Sequence, residues 1–140
     1  MFKVIFDSNI LLSGLFFKGN ERKLLEKALL KEIQLLIPEH VLIETRNIIE
    51  RKSKDFGGKE QAMSVLQAII NSSKVIPIKE YRDLLPKAKL MIRDKKDSPI
   101  LAAVLSTKHD FFISGDKDFR VLKLKTHISS RELLSRISKQ

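Results

Sequence analysis

Phe2-Lys3-Val4-Ile5-Phe6-Asp7-Ser8-Asn9 is a short apolar run that ends abruptly on a carboxylate. Phe111-Phe112-Ile113-Ser114-Gly115-Asp116-Lys117-Asp118 repeats the arrangement, with a serine–glycine turn between the run and its paired acids. Each run is short, rich in aromatic and β-branched residues, and followed by a stretch with helical periodicity. That alternation predicts parallel strands joined by helices. If the two runs are neighbours in one sheet, carboxylates far apart in sequence meet at a single edge. In open α/β sheets that edge, beyond the carboxyl ends of the strands, is where ligands bind.

The rest of the chain fits the same scheme. Strands are predicted at about 2–6, 33–37, 74–78, 111–113 and near 124–128, and helices at about 9–17, 21–32, 39–51, 59–71 and 99–108. Asn20 is the expected N-cap of the second helix, and Pro38 ends the second strand. Asp55-Phe56-Gly57-Gly58 reads as a loop. Pro77 favours a sheet edge, and Pro86 interrupts a helical stretch over 80–92. Ser98-Pro99 opens a helix as N-cap and first-turn proline, and Ser129-Ser130-Arg131-Glu132 has the form of a capping box that starts the last one. The fold class expected from this alternation is α/β with a largely parallel sheet. The 140 residues, without a linker or internal repeat, read as one domain over 1–140.

Composition narrows the function. With no cysteine there is no disulfide frame, zinc–thiolate site or thiol nucleophile. No apolar run approaches the roughly 20 residues that span a bilayer, and the N-terminus lacks a signal-peptide pattern, so a cytoplasmic location is expected. Twenty-seven Lys and Arg against 17 Asp and Glu leave a formal charge of +10, which favours polyanionic partners. A merely solubilising lysine-rich surface would have the same balance.

Against that basic background five acids stand out, each with a bland alternative. Asp7 lies at a strand end but is also placed to cap the next helix. Glu44 projects to the border of the apolar stripe of its helix, where it would want a cation or an ordinary salt-bridge partner. Asp97 precedes a helix start and could serve only to complement its dipole, worth roughly 0.3–1 kcal/mol. Asp94 reads as a loop acid. Asp116 and Asp118 follow Gly115, with Asp118 as a candidate cap. If the strands at 2–6 and 111–114 are adjacent, Asp7, Asp97 and Asp116 fall at one sheet edge and would repel strongly unless a cation neutralised them, and oxygen-only ligands favour Mg²⁺ or Mn²⁺ over zinc.

Phe6-Asp7-Ser8-Asn9-Ile10-Leu11, Glu44 on its helix, Lys96-Asp97-Ser98-Pro99-Ile100-Leu101-Ala102-Ala103 and Ser114-Gly115-Asp116-Lys117-Asp118-Phe119 occur in an order and spacing that resemble the PIN domain family. The likeness covers nearly the whole chain. It implies a three-layer α/β/α sandwich around a mostly parallel sheet of about five strands. It also implies an acidic pocket that binds Mg²⁺ or Mn²⁺, with Asp7, Glu44, Asp97 and Asp116 as the acidic quartet and Asp118 as the frequent fifth acid. By motif position Ser114 is a small hydroxyl residue that supports the pocket, and Asn9 a common polar neighbour. Many small members of the family are endoribonucleases, notably VapC-like toxins that form homodimers and are silenced by a small antitoxin. The resemblance therefore implies a metal-dependent endoribonuclease, the toxin of a toxin–antitoxin pair, with RNA as substrate. Lys95, Lys96, Lys117 and Arg120, nearest the acids in sequence, are the candidate RNA contacts. No chemistry is assigned to His40, His109 or His127. The alternatives are an RNA-processing nuclease without an antitoxin and a non-catalytic RNA-binding protein. An aspartyl-phosphate enzyme is disfavoured, because Asp7-Ser8-Asn9 lacks paired acids.

Overall fold

The computed structural model describes residues 1–56 and 58–140, with the side chains of residues 53–56 excluded. Its centre is β1 (Phe2–Phe6), whose last three residues are buried. A strand covered on both faces has no polar side to alternate with, so it reads as a continuous apolar run. β2 (Ile33–Pro38) and β4 (Phe111–Ile113) flank it, and β3 (Lys74–Ile76) and β5 (His127–Ile128) lie outside them. The order is β3-β2-β1-β4-β5, with every pairing parallel. Helices cover both sides of the sheet, the sandwich that the family resemblance implies.

The chain leaves β1 toward β2 and later returns to β4 on the other flank, so strand order reverses between β1 and β4. The register there pairs Phe6 with Ile113, and the Asp7 N–H donates to the Ile113 carbonyl at 3.3 Å. At the opposite end Asp110 fastens the same two strands. Its Oδ2 accepts from the Lys3 N–H at 2.7 Å, and its own N–H donates to the Lys3 carbonyl at 2.8 Å.

α1 (Ser8–Phe16) packs against α2 (Asn20–Leu29), α3 (Glu39–Phe56) and α4 (Lys59–Asn71). The approach of α1 to α2 is close at Gly14, where a Cβ would lie 2.6 Å from Leu25 Cδ1 and 3.0 Å from the Glu21 carbonyl. α5 (Leu85–Met91) and α6 (Ser98–Ser106) pack together, followed by the single turn α7 (Lys117–Arg120) and by α8 (Ser130–Ser138). Among the described residues, no helix is long and apolar enough to cross a membrane.

Several local expectations shift. Pro38 is the last residue of β2, paired with Ile76, because a strand end does not need its missing N–H. α3 continues through Asp55 and Phe56, part of the expected loop, while Gly57 lies outside the described residues. Pro86 does not break a helix; it sits in the first turn of α5, where its lost donor is an orphan anyway. Ahead of it, residues 78–80 and 82–84 form 3₁₀ turns. Gly19 rather than Asn20 occupies the N-cap of α2, and Asp97 rather than Ser98 that of α6. The Ser129 cap of α8 is as expected, accepting from the Glu132 N–H at 3.1 Å.

The 3₁₀ segment is stapled to the start of α3. Buried Tyr81 accepts the His40 N–H on its hydroxyl at 3.0 Å, and Glu39 Oε1 accepts the Ile78 N–H at 2.9 Å. The His40 N–H is one of the orphan donors of a helix N-terminus, so Tyr81 acts as a distant cap. Tyr81→Phe should therefore cost about 1 kcal/mol in urea denaturation, from the unpaired N–H alone. A loss near zero would mean that another acceptor already serves this amide.

Candidate active site

Asp7 follows the last residue of β1 and is 3 % exposed. Both of its carboxylate oxygens are engaged. Oδ1 caps α1 by accepting the Ile10 N–H at 2.9 Å, and Oδ2 accepts the Ser114 hydroxyl from the end of β4. Capping and site chemistry are thus not rivals here, since the cap is what holds the carboxylate at the sheet edge. Burial pushes the Asp7 carboxyl above its usual range and the Asp116 charge adds to this. The Ser114 and Ile10 hydrogen bonds and the nearby His127 pull the other way.

Ser114 is the hinge of the second motif. Besides donating to Asp7, its Oγ accepts the Asp116 N–H at 3.1 Å, so one hydroxyl ties both acids to one point. Asp116, not Asp118, caps α7; its Oδ1 accepts the Asp118 N–H at 2.8 Å. Phe119 anchors this turn by packing edge-on against Phe112 of β4, ring centroids 5.0 Å apart. The His127 Nε2 meets the Ser114 carbonyl at 2.7 Å, bracing the turn from β5.

Asp97 ends a 3₁₀ turn (Lys95–Asp97) just ahead of α6. Its carboxyl is pushed up to about 6, first by desolvation and then by the charges of Asp116, Asp94, Asp7 and Glu44. The other three acids of the expected quartet are therefore all within electrostatic reach of Asp97. Asp94, demoted on sequence grounds, belongs to the neighbourhood as well. Oxygens of Asp94, Asp97 and Asp118 lie within 4.8 Å of one another, the metal-competent acidic grouping among the described residues. This tight trio is not the expected quartet. Proximity of oxygens favours the trio, although both Asp118 oxygens are taken by Arg93, whereas the strand-end geometry that ties Asp7 and Asp116 through Ser114 favours the quartet.

Asp118 has an occupant of its own. The Arg93 guanidinium binds it in bidentate fashion, Nε to Oδ1 and Nη2 to Oδ2, both at 2.9 Å. Asp118 is 7 % exposed, while the Arg93 side chain is 75 % exposed. This pairing holds Asp118 below the usual carboxylate range and raises the Arg93 guanidinium. Neither Arg93 nor His127 stood out in the sequence. Arg93 pairs across 25 residues, and nothing local to Ile92-Arg93-Asp94 signals its partner. His127 could have been noticed only as the polar residue of a short terminal strand.

The remaining expected residues divide. Asn9 is exposed on α1 and, with Ser114 and Asp116, lines a cleft of about 540 Å³ that also touches Asn20, Ser130 and Arg131. A larger groove, about 750 Å³, runs beside α1, α2 and α4, but it is mainly apolar and contains none of the site acids. Lys95, Lys96, Lys117 and Arg120 are all exposed. The Lys95 ammonium is turned onto the Lys89 and Ile92 carbonyls at the end of α5, and Arg120 donates to the Gly115 carbonyl at 3.2 Å.

A parallel α/β/α sandwich with clustered carboxylates at the point of strand reversal defines an acidic-site α/β protein of the nuclease type. The PIN domain family model matches residues 3–118, and the chain belongs to that family, whose members are nucleases. No curated protein matches the chain. Among solved structures it is similar to VapBC2 from Rickettsia felis bound to a DNA fragment from their promoter, with TM-score 0.64 and 18 % identity over 91 % of this chain and 98 % of that one. It is similar to PAE2754 from Pyrobaculum aerophilum, with TM-score 0.71 and 16 % identity over 99 % and 91 %. A toxin–antitoxin complex from Klebsiella pneumoniae matches with TM-score 0.62 and 18 % identity over 91 % and 97 %. At these identities the likeness is one of fold.

Proposed function

We propose that the chain is a single-domain, divalent-metal-dependent endoribonuclease, the toxin of a toxin–antitoxin pair, working as a homodimer with Mg²⁺ or Mn²⁺. The observation that carries this reading is the convergence of Asp7, Asp97 and Asp116 where β1 and β4 end side by side. The donor set fits a hard divalent cation: it is all oxygen, and the Asp97 carboxyl is raised to about 6 by desolvation first and then by the neighbouring acids. Asp7, Glu44, Asp97 and Asp116 would hold the ion. When bound, a divalent ion supplies a water of lowered pKa and offsets charge on the phosphoryl oxygens.

The chain's own residues do the positioning. Ser114 and the Ile10 N–H fix both oxygens of Asp7, so its carboxylate is oriented before substrate arrives. Asp116 is oriented by the same Ser114 and by the α7 turn. Hydrolysis at phosphorus would form a bond to the water oxygen and break the bond to the 3′-oxygen, leaving a 5′-phosphate and a 3′-hydroxyl that takes up a proton. The formal +10 charge favours a polyanionic substrate despite the acidic centre. An antitoxin partner is supported by the toxin–antitoxin complexes that share the fold.

The purified protein should cut single-stranded RNA with Mg²⁺ or Mn²⁺ and stop cutting when EDTA is added. Cleavage that is indifferent to EDTA would overturn the metal assignment. Failure of any small protein encoded beside this gene to block cleavage would overturn the toxin assignment.

A further inference from the structure

We propose that Arg93 grips a phosphate of the bound nucleic acid strand and that Asp118 is the positioning residue that aims it, rather than a metal ligand. The inference rests on reading the site as a nuclease and names a substrate contact for it. Three observations converge. Asp118 is buried and spends both oxygens on the guanidinium, so its geometry is that of a clamp on Arg93. Arg93 uses only Nε and Nη2 in this pair, which leaves Nη1 without a hydrogen-bond partner among the described residues, on a side chain that is three-quarters exposed. The pair also stands beside Asp94 and Asp97, whose oxygens lie within 4.8 Å of those of Asp118.

The physics favours a phosphate as the next partner. A planar guanidinium with one edge held by a carboxylate presents its remaining N–H groups in a fixed direction, so little rotamer entropy is lost when a second anion binds. An RNA strand approaching the acids meets repulsion from Asp94, Asp97 and Asp116. A fixed cation at their border offsets part of that repulsion and sets the strand's register. Two of the other nearby cations are committed elsewhere, Lys95 to the end of α5 and Arg120 to the Gly115 carbonyl. Were Asp118 a metal ligand, the ion would share its carboxylate with a second positive charge, the guanidinium, whereas the donors on Asp7 are neutral.

The test uses the full-length chain carrying Asp7→Asn, so that bound RNA stays intact, and reads binding of a 5′-fluorescein 20-nucleotide mixed-sequence single-stranded RNA by anisotropy in Mn²⁺. Adding Arg93→Ala should weaken binding roughly tenfold and reduce the slope of log K against log salt by about 0.7, the loss of one phosphate contact. Arg93→Lys should recover part of the affinity. Asp118→Asn should weaken RNA binding several-fold, and the Arg93→Ala/Asp118→Asn double change should be no weaker than Arg93→Ala, because the acid acts through the arginine. Calorimetric Mn²⁺ binding by Asp118→Asn in the otherwise unchanged chain should stay within about twofold of the parent. Unchanged RNA affinity in Arg93→Ala, no RNA binding by the parent, or a tenfold or larger loss of Mn²⁺ affinity in Asp118→Asn would each overturn the proposal. Failure of the nuclease reading would appear separately, as an unaltered chain that binds this RNA but does not cut it.

Discussion

Asp7→Asn is expected to lower RNA cleavage by on the order of a thousandfold while leaving the fold intact. The change removes one negative charge from the centre of the acidic cluster and leaves the side-chain shape in place. Asparagine caps helices about as well as aspartate, so its amide oxygen can still accept the Ile10 N–H. The amide nitrogen would face Ser114, whose hydroxyl can turn to accept a hydrogen bond where it now donates one. Burial already disfavours the charged form of Asp7, so neutralising it carries no penalty for the metal-free fold. The melting temperature should stay within roughly 3 °C of the parent, less than the loss expected for Asp7→Ala, which forfeits a cap worth about 1 kcal/mol. Full activity in the asparagine variant would remove Asp7 from the mechanism.

Asp97→Asn should make the metal-free protein more stable and the metal-bound protein less so. The folded carboxyl is raised from 3.8 to about 6, so between those values the native state holds a proton that the unfolded chain releases. Stability from this group is therefore full below about pH 4 and is lost as pH rises through about 6. At pH 7.5 in EDTA the amide is free of that loss. After allowance for solvent screening of a part-exposed group, its gain is about 1 kcal/mol, or about 3 °C in Tm. At pH 4 the two proteins should melt together. Added Mn²⁺ should reverse the order, since an ion at a hundred times its Kd stabilises the parent by about 2.7 kcal/mol and a chain short of one ligand by less. Calorimetric scans at the two pH values, with EDTA and with Mn²⁺, measure all of this. A variant less stable than its parent at pH 7.5 in EDTA would mean that Asp97 is held by a favourable partner instead of crowded by acids.

Both results would reflect a site that keeps function at the expense of stability. Carboxylates crowd the neighbourhood of Asp97, and the counter-charges among the described residues reach only part of them. Arg93 answers Asp118, and two hydrogen bonds answer Asp7, but Asp97 is left with an elevated proton affinity.

Much of this was legible before any coordinates. The strands and their parallel pairing follow from short apolar runs separated by helix-length amphipathic stretches. Asp7 and Asp116 at strand ends follow from where those runs stop. Errors fell at boundaries governed by single residues. In the sequence Pro86 looks like a helix break, because its effect depends on whether it falls in a first turn or a later one and hydrophobic periodicity does not mark that difference. The expected split between caps and site acids also dissolved, since Asp7 and Asp116 cap helices with the same carboxylates that face the site.

The sequence by itself determined the order of elements, the sheet's parallel sense and the acids that end β1 and follow β4. These depend on backbone periodicity and on the few residues that end each run. Only the tertiary structure decided that Asp118 belongs to Arg93, that Ser114 serves two acids at once, that His127 braces the turn and that Asp97 carries the raised carboxyl. Those outcomes turn on distances of a few ångströms between side chains that lie 13 to 107 residues apart. Such distances are set by how loops pack over the sheet edge, and no local pattern encodes them.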